Sequence, residues 1–333
     1  MKNIGIIGSG TWGTALANIL ALKGHKVYLY SHFKKEYEGL KETRRHPNLK
    51  DTLLEKTIVF SNSLEESIKG KDIIVFASPS PFAREMTKLC KPYLNKKQIL
   101  VNVAKGIEEN TLFTMSEVIR DVVGKEYKIV SLSGPTHAEE VVKGLPTCIT
   151  STSYDLEAAK VVQETFAYKQ FRVYTNLDPK GVEVAAALKN IIALACGISE
   201  GIGYGDNAKA ALITRGLFEI TKLGVKLGCD PLTFAGLSGV GDIVVTSISN
   251  HSRNHNAGVL LGKGVPLEET LKQVGMVVEG INSLNSARQL AKKYDVETPI
   301  INAVYDVAIL GKSPIKVVDS LFERKLISEK LTK

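Results

Sequence analysis

The sequence predicts an α/β protein: a doubly wound, mostly parallel sheet in its first part and an all-α second part. Up to about Asn176, short β-type runs alternate with helical patterns. Most of the β-type runs are continuously rich in valine and isoleucine, which fits a sheet buried on both faces. After Asp178-Pro179 the strand signals nearly vanish. The sequence therefore indicates two domains of different class.

The predicted sheet is made of short segments separated by helical patterns. The segments are Asn3–Gly8, Lys26–Tyr30, Thr57–Ser61, Asp72–Ser78, Gln98–Ala104, Lys128–Ser133, Thr147–Ser151 and Phe171–Tyr174. Helical patterns such as Phe82–Leu94 and Leu156–Ala167 lie between them. This order implies parallel pairing, because parallel neighbours need a long crossover connection.

The second part shows helical patterns that end at proline or glycine. The predicted helices are Val182–Ser199, Ala208–Leu227, Leu267–Val274, Ile281–Tyr294, Ile300–Ile309 and Ile315–Phe322. The breaks between them contain Gly228, Pro231, Pro266, Pro299 and Pro314. We place the domain boundary within residues 176–182, which gives domains of residues 1–178 and 179–333.

The composition is that of an ordinary globular protein. The chain has 333 residues, which is more than one core usually accommodates, with 44% hydrophobic and 23% charged residues. The formal charge of +8 comes from scattered basic residues. This pattern argues only weakly for nucleic-acid binding, which we do not expect, and it suits a protein that handles anionic metabolites.

The cysteines and the apolar stretches predict a cytoplasmic location. Cys90, Cys148, Cys196 and Cys229 lie far apart, which argues against a disulfide framework or a metal site. No signal region follows Met1. The longest apolar stretch, Val182–Gly197, contains Lys189 and Asn190, and we predict it to be too short and too polar to span a bilayer.

A glycine-rich fingerprint follows the first strand. The pattern GxGxxG is matched by Gly8-Ser9-Gly10-Thr11-Trp12-Gly13 at the start of a predicted helix. Gly8 would allow the tight turn, Gly10 the approach of the backbone to a pyrophosphate, and Gly13 close packing of helix on strand. The alternative is a turn that binds nothing or another nucleotide. The strand–turn–helix context favours a Rossmann-like dinucleotide site, with Trp12 in contact with the cofactor.

The end of the second strand bears on the choice between NAD and NADP. No carboxylate that could bond the ribose 2′-hydroxyl of NAD occurs before Glu36. His32, Lys34 and Lys35 could instead meet a 2′-phosphate. These residues favour NADPH or the use of both cofactors. The alternative is that they form a solvated basic turn with no role in cofactor binding.

Lys189 lies in an apolar stretch, where burying a charged lysine costs free energy. It is followed by Asn190 in a nearly uniformly apolar stretch, residues 184–195. Such a lysine either extends to solvent or lies in a cleft with a depressed pKa. In the second case it could give a proton to a ketone oxygen or take one from an alcohol, while Asn190 orients a substrate oxygen.

Two further segments look like polar sites in turns. Asp242 lies among glycines in residues 238–242, and Arg253 lies among small donors in residues 250–254. The arginine suits bidentate binding of a phosphate. Each segment is ambiguous alone, because an aspartate in a glycine turn is usually a cap and a Ser-Arg-Asn sequence is usually a surface loop.

Taken together, the motifs resemble the NAD(P)-dependent glycerol-3-phosphate dehydrogenase family, the bacterial-type soluble enzyme. The matching stretches are residues 8–15, 104–108, 133–138, 187–190, 210–216, 237–242 and 252–254, in family order over nearly the whole chain. The resemblance implies a Rossmann-like domain, a helical domain and a site in the cleft between them. It also implies NAD or NADP, a phosphorylated small-molecule substrate and a homodimer.

The resemblance assigns roles to individual residues. It implies that Lys189 is the catalytic acid and base and also contacts substrate, together with Lys105, Gly134, Thr136, Asp242, Ser252, Arg253 and Asn254. It implies that the cofactor contacts Gly8, Ser9, Gly10, Thr11, Trp12, Gly13, His32, Phe33, Lys105, Ala138, Arg253, Val277 and Glu279. Two departures stand out. His32-Phe33 occupy a place where arginine is frequent, and His137 replaces a common aromatic residue, which we expect to change packing rather than chemistry.

The resulting hypothesis is a reversible hydride transfer between NAD(P)H and dihydroxyacetone phosphate. The product, glycerol 3-phosphate, is the precursor for glycerophospholipid synthesis. Arg253 would hold the phosphate, Lys189 would protonate the developing alkoxide, and Lys105 would add positive charge. The nearest alternative is a β-hydroxyacid dehydrogenase or ketoacid reductase, which combines similar domains. A non-catalytic NAD(P)-sensing protein is the alternative from another class.

Overall fold

One eight-stranded sheet organises the first half of the chain in a computed structural model, which describes residues 1–326, 328 and 329. The strands are β1 (Asn3–Ile7), β2 (Lys26–Tyr30), β3 (Val59–Ser61), β4 (Ile73–Phe76), β5 (Ile99–Asn102), β6 (Lys128–Ser133), β7 (Thr147–Thr152) and β8 (Phe171–Asn176). Their order is β3-β2-β1-β4-β5-β6-β7-β8. Only β6 and β7 pair antiparallel among these neighbours. The predicted fold class is confirmed.

Helices cover both faces of the sheet, which explains why its central strands are apolar throughout. The helices of this half are α1 (Thr11–Leu22), α2 (Lys34–Thr43), α3 (Leu64–Ile68), α4 (Ala83–Cys90), α5 (Met115–Val123), α6 (Ala138–Val142) and α7 (Leu156–Phe166). One face packs Ile6 and Val75 against α1 and α7. The other packs Ile7, Ile74 and Phe76 against α3, α4 and α5. Both clusters contribute buried apolar area, the main favourable free-energy term in folding.

The second half is helical around one long central helix. Its helices are α8 (Pro179–Ile202), α9 (Asp206–Lys226), α10 (Pro231–Phe234), α11 (Asp242–Ile248), α12 (Arg253–Gly262), α13 (Leu267–Val274), α14 (Glu279–Asn282), α15 (Leu284–Lys293), α16 (Pro299–Ala308) and α17 (Pro314–Phe322). The Asp178 side chain accepts a hydrogen bond from Gly181 N–H and Pro179 occupies the first turn, so α8 has a well-defined start. Its residues are buried on every side, as expected for the core helix of a domain.

Glycines bring α8 and α12 into backbone contact. A Cβ on Gly197 would lie 2.1 Å from the carbonyl oxygen of His255, and a Cβ on Gly258 would lie 2.3 Å from that of Leu194. Neither position accepts a side chain without moving a helix. The start of α12, with Ser252 and Arg253, is thereby held close to the helix that carries Lys189.

The structure corrects the predictions for the Asp242 segment and for the apolar stretch around Lys189. The segment around Asp242 is not a turn, because π-helical Leu237–Gly241 leads directly into α11, whereas Asn250 and His251 do form a turn, with Arg253 as the first residue of α12 after it. The apolar stretch around Lys189 is not too short and polar to span a bilayer, because α8 passes that test by length and composition, as does Pro231–Ile248. What marks α8 as a core helix is that its apolar 18-residue stretch is completely buried within the protein. Pro231–Ile248 is interrupted by the π-helical segment Leu237–Gly241.

Candidate active site

The loop between β1 and α1 has the geometry of a phosphate cradle. Gly8 has φ +121°, and a Cβ there would lie 2.8 Å from the carbonyl oxygen of Ala77. A Cβ on Gly13 would lie 2.1 Å from the carbonyl oxygen of Gly8. Gly10 differs, because a Cβ there meets nothing within 4 Å. The fold itself thus requires the first and third glycines, whereas Gly10 faces open space.

The same loop has polar groups suited to an anion. The N-terminus of α1 has no side-chain cap, so its first N–H groups point outward. The hydroxyl of Ser9 is buried and has no hydrogen-bond partner among the described residues. A pyrophosphate fits such an uncapped helix N-terminus, so the loop fits NAD or NADP.

Replacement of Gly10 by alanine is expected to weaken NADH binding about tenfold or more, which corresponds to about 1.4 kcal/mol of binding free energy. The stability of the fold should not decrease. Its φ of −60° is ordinary for alanine, and the new methyl would occupy only the space left for a ligand. Fluorescence titration of Trp12 in this loop measures the affinity. Gly39→Ala is the matched control, since Gly39 lies in α2 with open space around it and should bind NADH normally. Unchanged affinity of Gly10→Ala would remove the loop from the cofactor site.

The turn after β2 exposes the residues predicted to meet the ribose. His32 lies edge-on to Phe33, with ring centroids 5.1 Å apart, and both side chains are exposed. Asn62, at the end of the neighbouring strand, donates to the carbonyl oxygens of Ser31 and His32 and so fixes the turn. Sequence reasoning missed Asn62, because its contact depends on the pairing of β2 with β3.

Lys105, Lys189 and Asp242 meet in one charged cluster between the two halves of the chain. Lys189 Nζ donates to Asp242 Oδ1 at 2.7 Å, and Lys105 Nζ donates to Asp242 Oδ2 at 2.6 Å. Lys189 also donates to the hydroxyl of Thr246 at 2.5 Å. The Lys189 side chain is 6% exposed and the Lys105 side chain 18%. Lys189 therefore does not extend to bulk solvent.

Burial and neighbouring charges shift the pKa values of Lys189 and Asp242. Burial lowers the pKa of Lys189 to about 8, against the opposing effect of Asp242. Burial alone would raise the pKa of Asp242, but the two ammonium groups outweigh it and hold that pKa below its ordinary value. The aspartate thus stays ionised, while Lys189 can gain and lose a proton near neutral pH.

A short π-helical segment places Asp242. Leu237–Gly241 precedes α11, and a Cβ on Gly239 would lie 1.8 Å from the carbonyl oxygen of Phe234, so that position must be glycine. Asp242 then starts α11, which continues the helical turns of that segment without a break. Thr246 lies one turn later on the same face and donates to Asp242 Oδ1 at 3.2 Å.

The N-terminus of α12 supplies the arginine predicted to bind phosphate. Arg253 is exposed, donates to the carbonyl oxygen of Val277 at 3.2 Å and borders a pocket of about 430 Å³, whose lining does not include the lysine cluster. The Ser252 hydroxyl caps the helix by accepting from His255 N–H. The amide of Asn254 donates to Asn190 Oδ1 at 3.0 Å and accepts from Gly280 N–H at 2.8 Å. Arg253 is therefore the residue of this turn with an exposed charge.

The segment after β6 lies against the lysine cluster. Gly134, with φ +156°, offers its carbonyl oxygen to Lys105 Nζ at 3.1 Å and to the Thr136 hydroxyl at 3.1 Å. His137 follows, and its Nε2 is buried without a partner among the described residues. Burial, and next the charge of Lys189, lower the pKa of His137.

Two contacts between distant parts of the chain were missed in the sequence. The ring centroid of His137 lies 5.9 Å from that of His251. The hydroxyl of Ser80 donates to the Glu279 carboxylate at 2.6 Å. Each joins a residue of the first half of the chain to one of the second half, and a Ser-Pro dipeptide after β4 was the only local signal for Ser80. Glu279 thus contacts the segment after β4 and Val277 contacts Arg253, while Ala138 is buried at the start of α6.

Known proteins match the chain from end to end. The family model described as the N-terminus of NAD-dependent glycerol-3-phosphate dehydrogenase matches residues 3–159, and the model described as its C-terminus matches residues 178–319. The chain is 50% identical to glycerol-3-phosphate dehydrogenase (NAD(P)+) 2 of Lactobacillus delbrueckii subsp. bulgaricus, over 99% of both chains. It is 48% identical to the Bacillus velezensis enzyme, over 97% of this chain and 95% of that one.

A solved structure gives the same result in three dimensions. The crystal structure of glycerol-3-phosphate dehydrogenase from Coxiella burnetii is similar with a TM-score of 0.92 and 34% identity, over 97% of this chain and 99% of that one. Since both halves match, the likeness includes the sheet and the helices that meet around Asp242.

Proposed function

This chain belongs to the NAD-dependent glycerol-3-phosphate dehydrogenase family, and we propose that it interconverts dihydroxyacetone phosphate and glycerol 3-phosphate with Lys189 as proton donor and acceptor. It is an NAD(P)-dependent oxidoreductase. The observation that carries the proposed mechanism is the buried ammonium group of Lys189, paired with Asp242 and with a pKa of about 8. A general acid or base works best when its pKa lies near the operating pH.

Each charged residue of the cluster has a separate role in the proposal. Bound nicotinamide supplies or accepts the hydride. Lys189 gives its proton to the developing alkoxide in reduction and takes the alcohol proton in oxidation. Lys105 stabilises the alkoxide by its charge, and Asp242 holds both ammonium groups in place. The buried setting strengthens these interactions because little water competes.

The phosphate and cofactor contacts complete the proposal. Arg253 would bind the substrate phosphate, since its guanidinium is exposed at the start of α12, where the helix dipole also favours an anion. The loop of residues 8–13 would hold the pyrophosphate, and His32 and Phe33 would border the ribose. The homodimer, the cytoplasmic location and the supply of glycerophospholipid synthesis are also part of the proposal; sedimentation equilibrium and cell fractionation test the first two.

The rates of the two directions are expected to depend oppositely on pH. Since reduction needs protonated Lys189, the rate of dihydroxyacetone phosphate reduction should fall as pH rises through about 8. Oxidation of glycerol 3-phosphate needs the neutral amine and should rise over the same range. Initial rates with NADH and with NADPH, measured from pH 6 to pH 10 (a range of about two pH units either side of that pKa), test both cofactors and both directions.

A 2-ketoacid is the control substrate in this assay. It lacks the phosphate that Arg253 would bind, so it should be consumed far more slowly than dihydroxyacetone phosphate. Comparable turnover of both substrates would favour the ketoacid reductase alternative. Flat pH profiles in both directions would contradict the role of Lys189.

A further inference from the structure

A second charged group of α8, Glu183, is buried but does not reach the lysine cluster. It is 4% exposed, and its carboxylate is surrounded by donors. Glu183 Oε1 accepts from Asn102 Nδ2 at 2.7 Å, from Ser131 Oγ at 2.9 Å and from Ser116 N–H at 3.0 Å. Its Oε2 accepts from Ser116 Oγ at 2.5 Å. One side chain thus joins α8 to three elements of the sheet domain.

Two of these elements, β5 and β6, lead into site residues. Asn102 ends β5 and pairs in register with Ser131 of β6. The Asn102 side chain also bonds both backbone groups of Ala104, at 3.1 Å to the carbonyl oxygen and 3.0 Å from the N–H. The next residue is Lys105.

The other donors of Glu183 extend the same connection. Beyond Ser131, β6 leads to Gly134, whose carbonyl oxygen accepts from Lys105 Nζ. Ser116 lies in the first turn of α5, so the positive end of that helix also faces the carboxylate. On α8, Lys189 lies about 9 Å further along the same helix axis. Glu183 therefore contacts the supports of both lysines.

Burying the Glu183 carboxylate costs desolvation free energy. A residue that only fills space would not need a carboxylate, so Glu183 is expected to do more than fill space. Burial raises the pKa of Glu183, against the opposing hydrogen bonds from Ser116 and its neighbours. The compensation comes from hydroxyl, amide and backbone N–H groups rather than from a basic side chain. Apolar contact would tolerate sliding of α8 over the strand ends, whereas several directional hydrogen bonds to one carboxylate do not.

We propose that Glu183 is a positioning residue, which fixes α8 against the ends of β5 and β6 so that Lys189 and Lys105 meet at the same aspartate. It touches neither the reacting atoms nor the charged cluster, and it acts through Asn102 and the strand ends. The inference rests on the proposed catalytic role of Lys189. Its effect should appear in turnover rather than in cofactor affinity, because the glycine loop after β1 is separate from these contacts.

Glu183→Gln tests the inference, because glutamine keeps the shape but removes the charge and places an amide NH2 group, instead of a carboxylate oxygen, against Ser116 Oγ. We expect kcat to fall about 10- to 100-fold, as a misplacement near 1 Å can do. NADH affinity should stay within about threefold of wild type, since a tenfold change would already need about 1.4 kcal/mol. The apparent pKa in the pH profile of kcat should also move, because the proton affinity of Lys189 depends on its distances to Asp242 and Lys105.

Glu219→Gln is the matched control. Glu219 is also a buried glutamate, but it accepts from Ile300 and Ile301 N–H at the start of α16, away from the lysine cluster. This variant should lose thermal stability and keep the wild-type kcat and pH profile. If Glu183→Gln behaves in the same way, Glu183 is only structural and the inference fails.

Two further variants make the outcome decisive. If Glu183→Gln does not fold, Ser131→Ala removes one donor to the same carboxylate, and a wild-type kcat and pH profile in that variant would overturn the inference. Lys189→Met, assayed alongside, distinguishes a failure of the proposed mechanism from a failure of the positioning role. Retained turnover in Lys189→Met contradicts the proposed mechanism itself, whereas an inactive Lys189→Met with normal turnover in Glu183→Gln contradicts only the positioning role.

Discussion

Replacement of Lys189 by methionine is expected to lower kcat for dihydroxyacetone phosphate reduction about 10²- to 10⁴-fold, the range typical of a lost general acid. Methionine is unbranched and apolar, so it suits a buried position in α8. Asp242 keeps Lys105 as a partner, and the cluster does not lose every positive charge. NADH affinity, measured through Trp12 fluorescence, should be nearly unchanged.

Lys180→Met is the control for this substitution. Lys180 lies at the start of the same helix and pairs with Glu117 at 3.2 Å, outside the charged cluster. Its loss should leave kcat at the wild-type level. A Lys189→Met enzyme that retains turnover within about tenfold of wild type would show that the proton comes from elsewhere, since a tenfold effect corresponds to only about 1.4 kcal/mol of the barrier.

The sheet was predictable because its pattern is local. Runs such as Ile73–Phe76 are apolar at every position, and such a run has few stable places other than a strand covered on both faces. The antiparallel pairing of β6 with β7 was harder to foresee. The connection between them contains only the short helix α6 together with Gly134 and its neighbours. It is not the long helical crossover that parallel strands need, so parallel pairing could not be inferred there.

The site was predictable in part, for reasons that differ between residues. Lys189 stood out because an ammonium group in an apolar helix must be paired or desolvated. Its partner did not stand out by pattern, since Asp242 lies 53 residues away and its glycine-rich setting resembles a turn. The resemblance to a family, rather than any local signal, connected Lys105 with Asp242 across 137 residues.

Helix α12 shows how packing overrides local propensity. Its sequence begins Arg-Asn-His-Asn and contains two glycines, and among these residues only the arginine favours a helix. The helix forms because Ser252 caps it and because Gly258 allows backbone contact with α8. Such a contact depends on a partner helix distant in sequence, so a loop was the natural prediction for the segment around Arg253.

Replacement of Asp242 by asparagine is expected to reduce kcat for reduction about 10²- to 10³-fold, as loss of one preorganised electrostatic partner does. The carboxylate raises the pKa of Lys189 and opposes the effect of burial. Without it, that pKa should fall below about 8, and reduction should be lost at lower pH than in wild type. The pH profile thus separates this variant from Lys189→Met, which has no amine left to titrate.

The same substitution should destabilise the fold in a pH-dependent way. Removing one partner of a buried ion pair costs about 3–5 kcal/mol when the other charge remains, and here two ammonium groups remain. The deficit in thermal stability should be largest where Lys189 is protonated and the wild-type Asp242 is ionised, that is, below about pH 8 and above the lowered pKa of Asp242. It should shrink as pH rises and the amine becomes neutral, and also at acid pH, where the wild-type carboxylate becomes protonated. Asp206→Asn, at the exposed first turn of α9, is the matched control and should change neither property. Wild-type turnover with an unshifted pH profile in Asp242→Asn would mean that Lys105 and Lys189 do not need a shared anion, because the carboxylate would then contribute nothing to the protonation or placement of either amine.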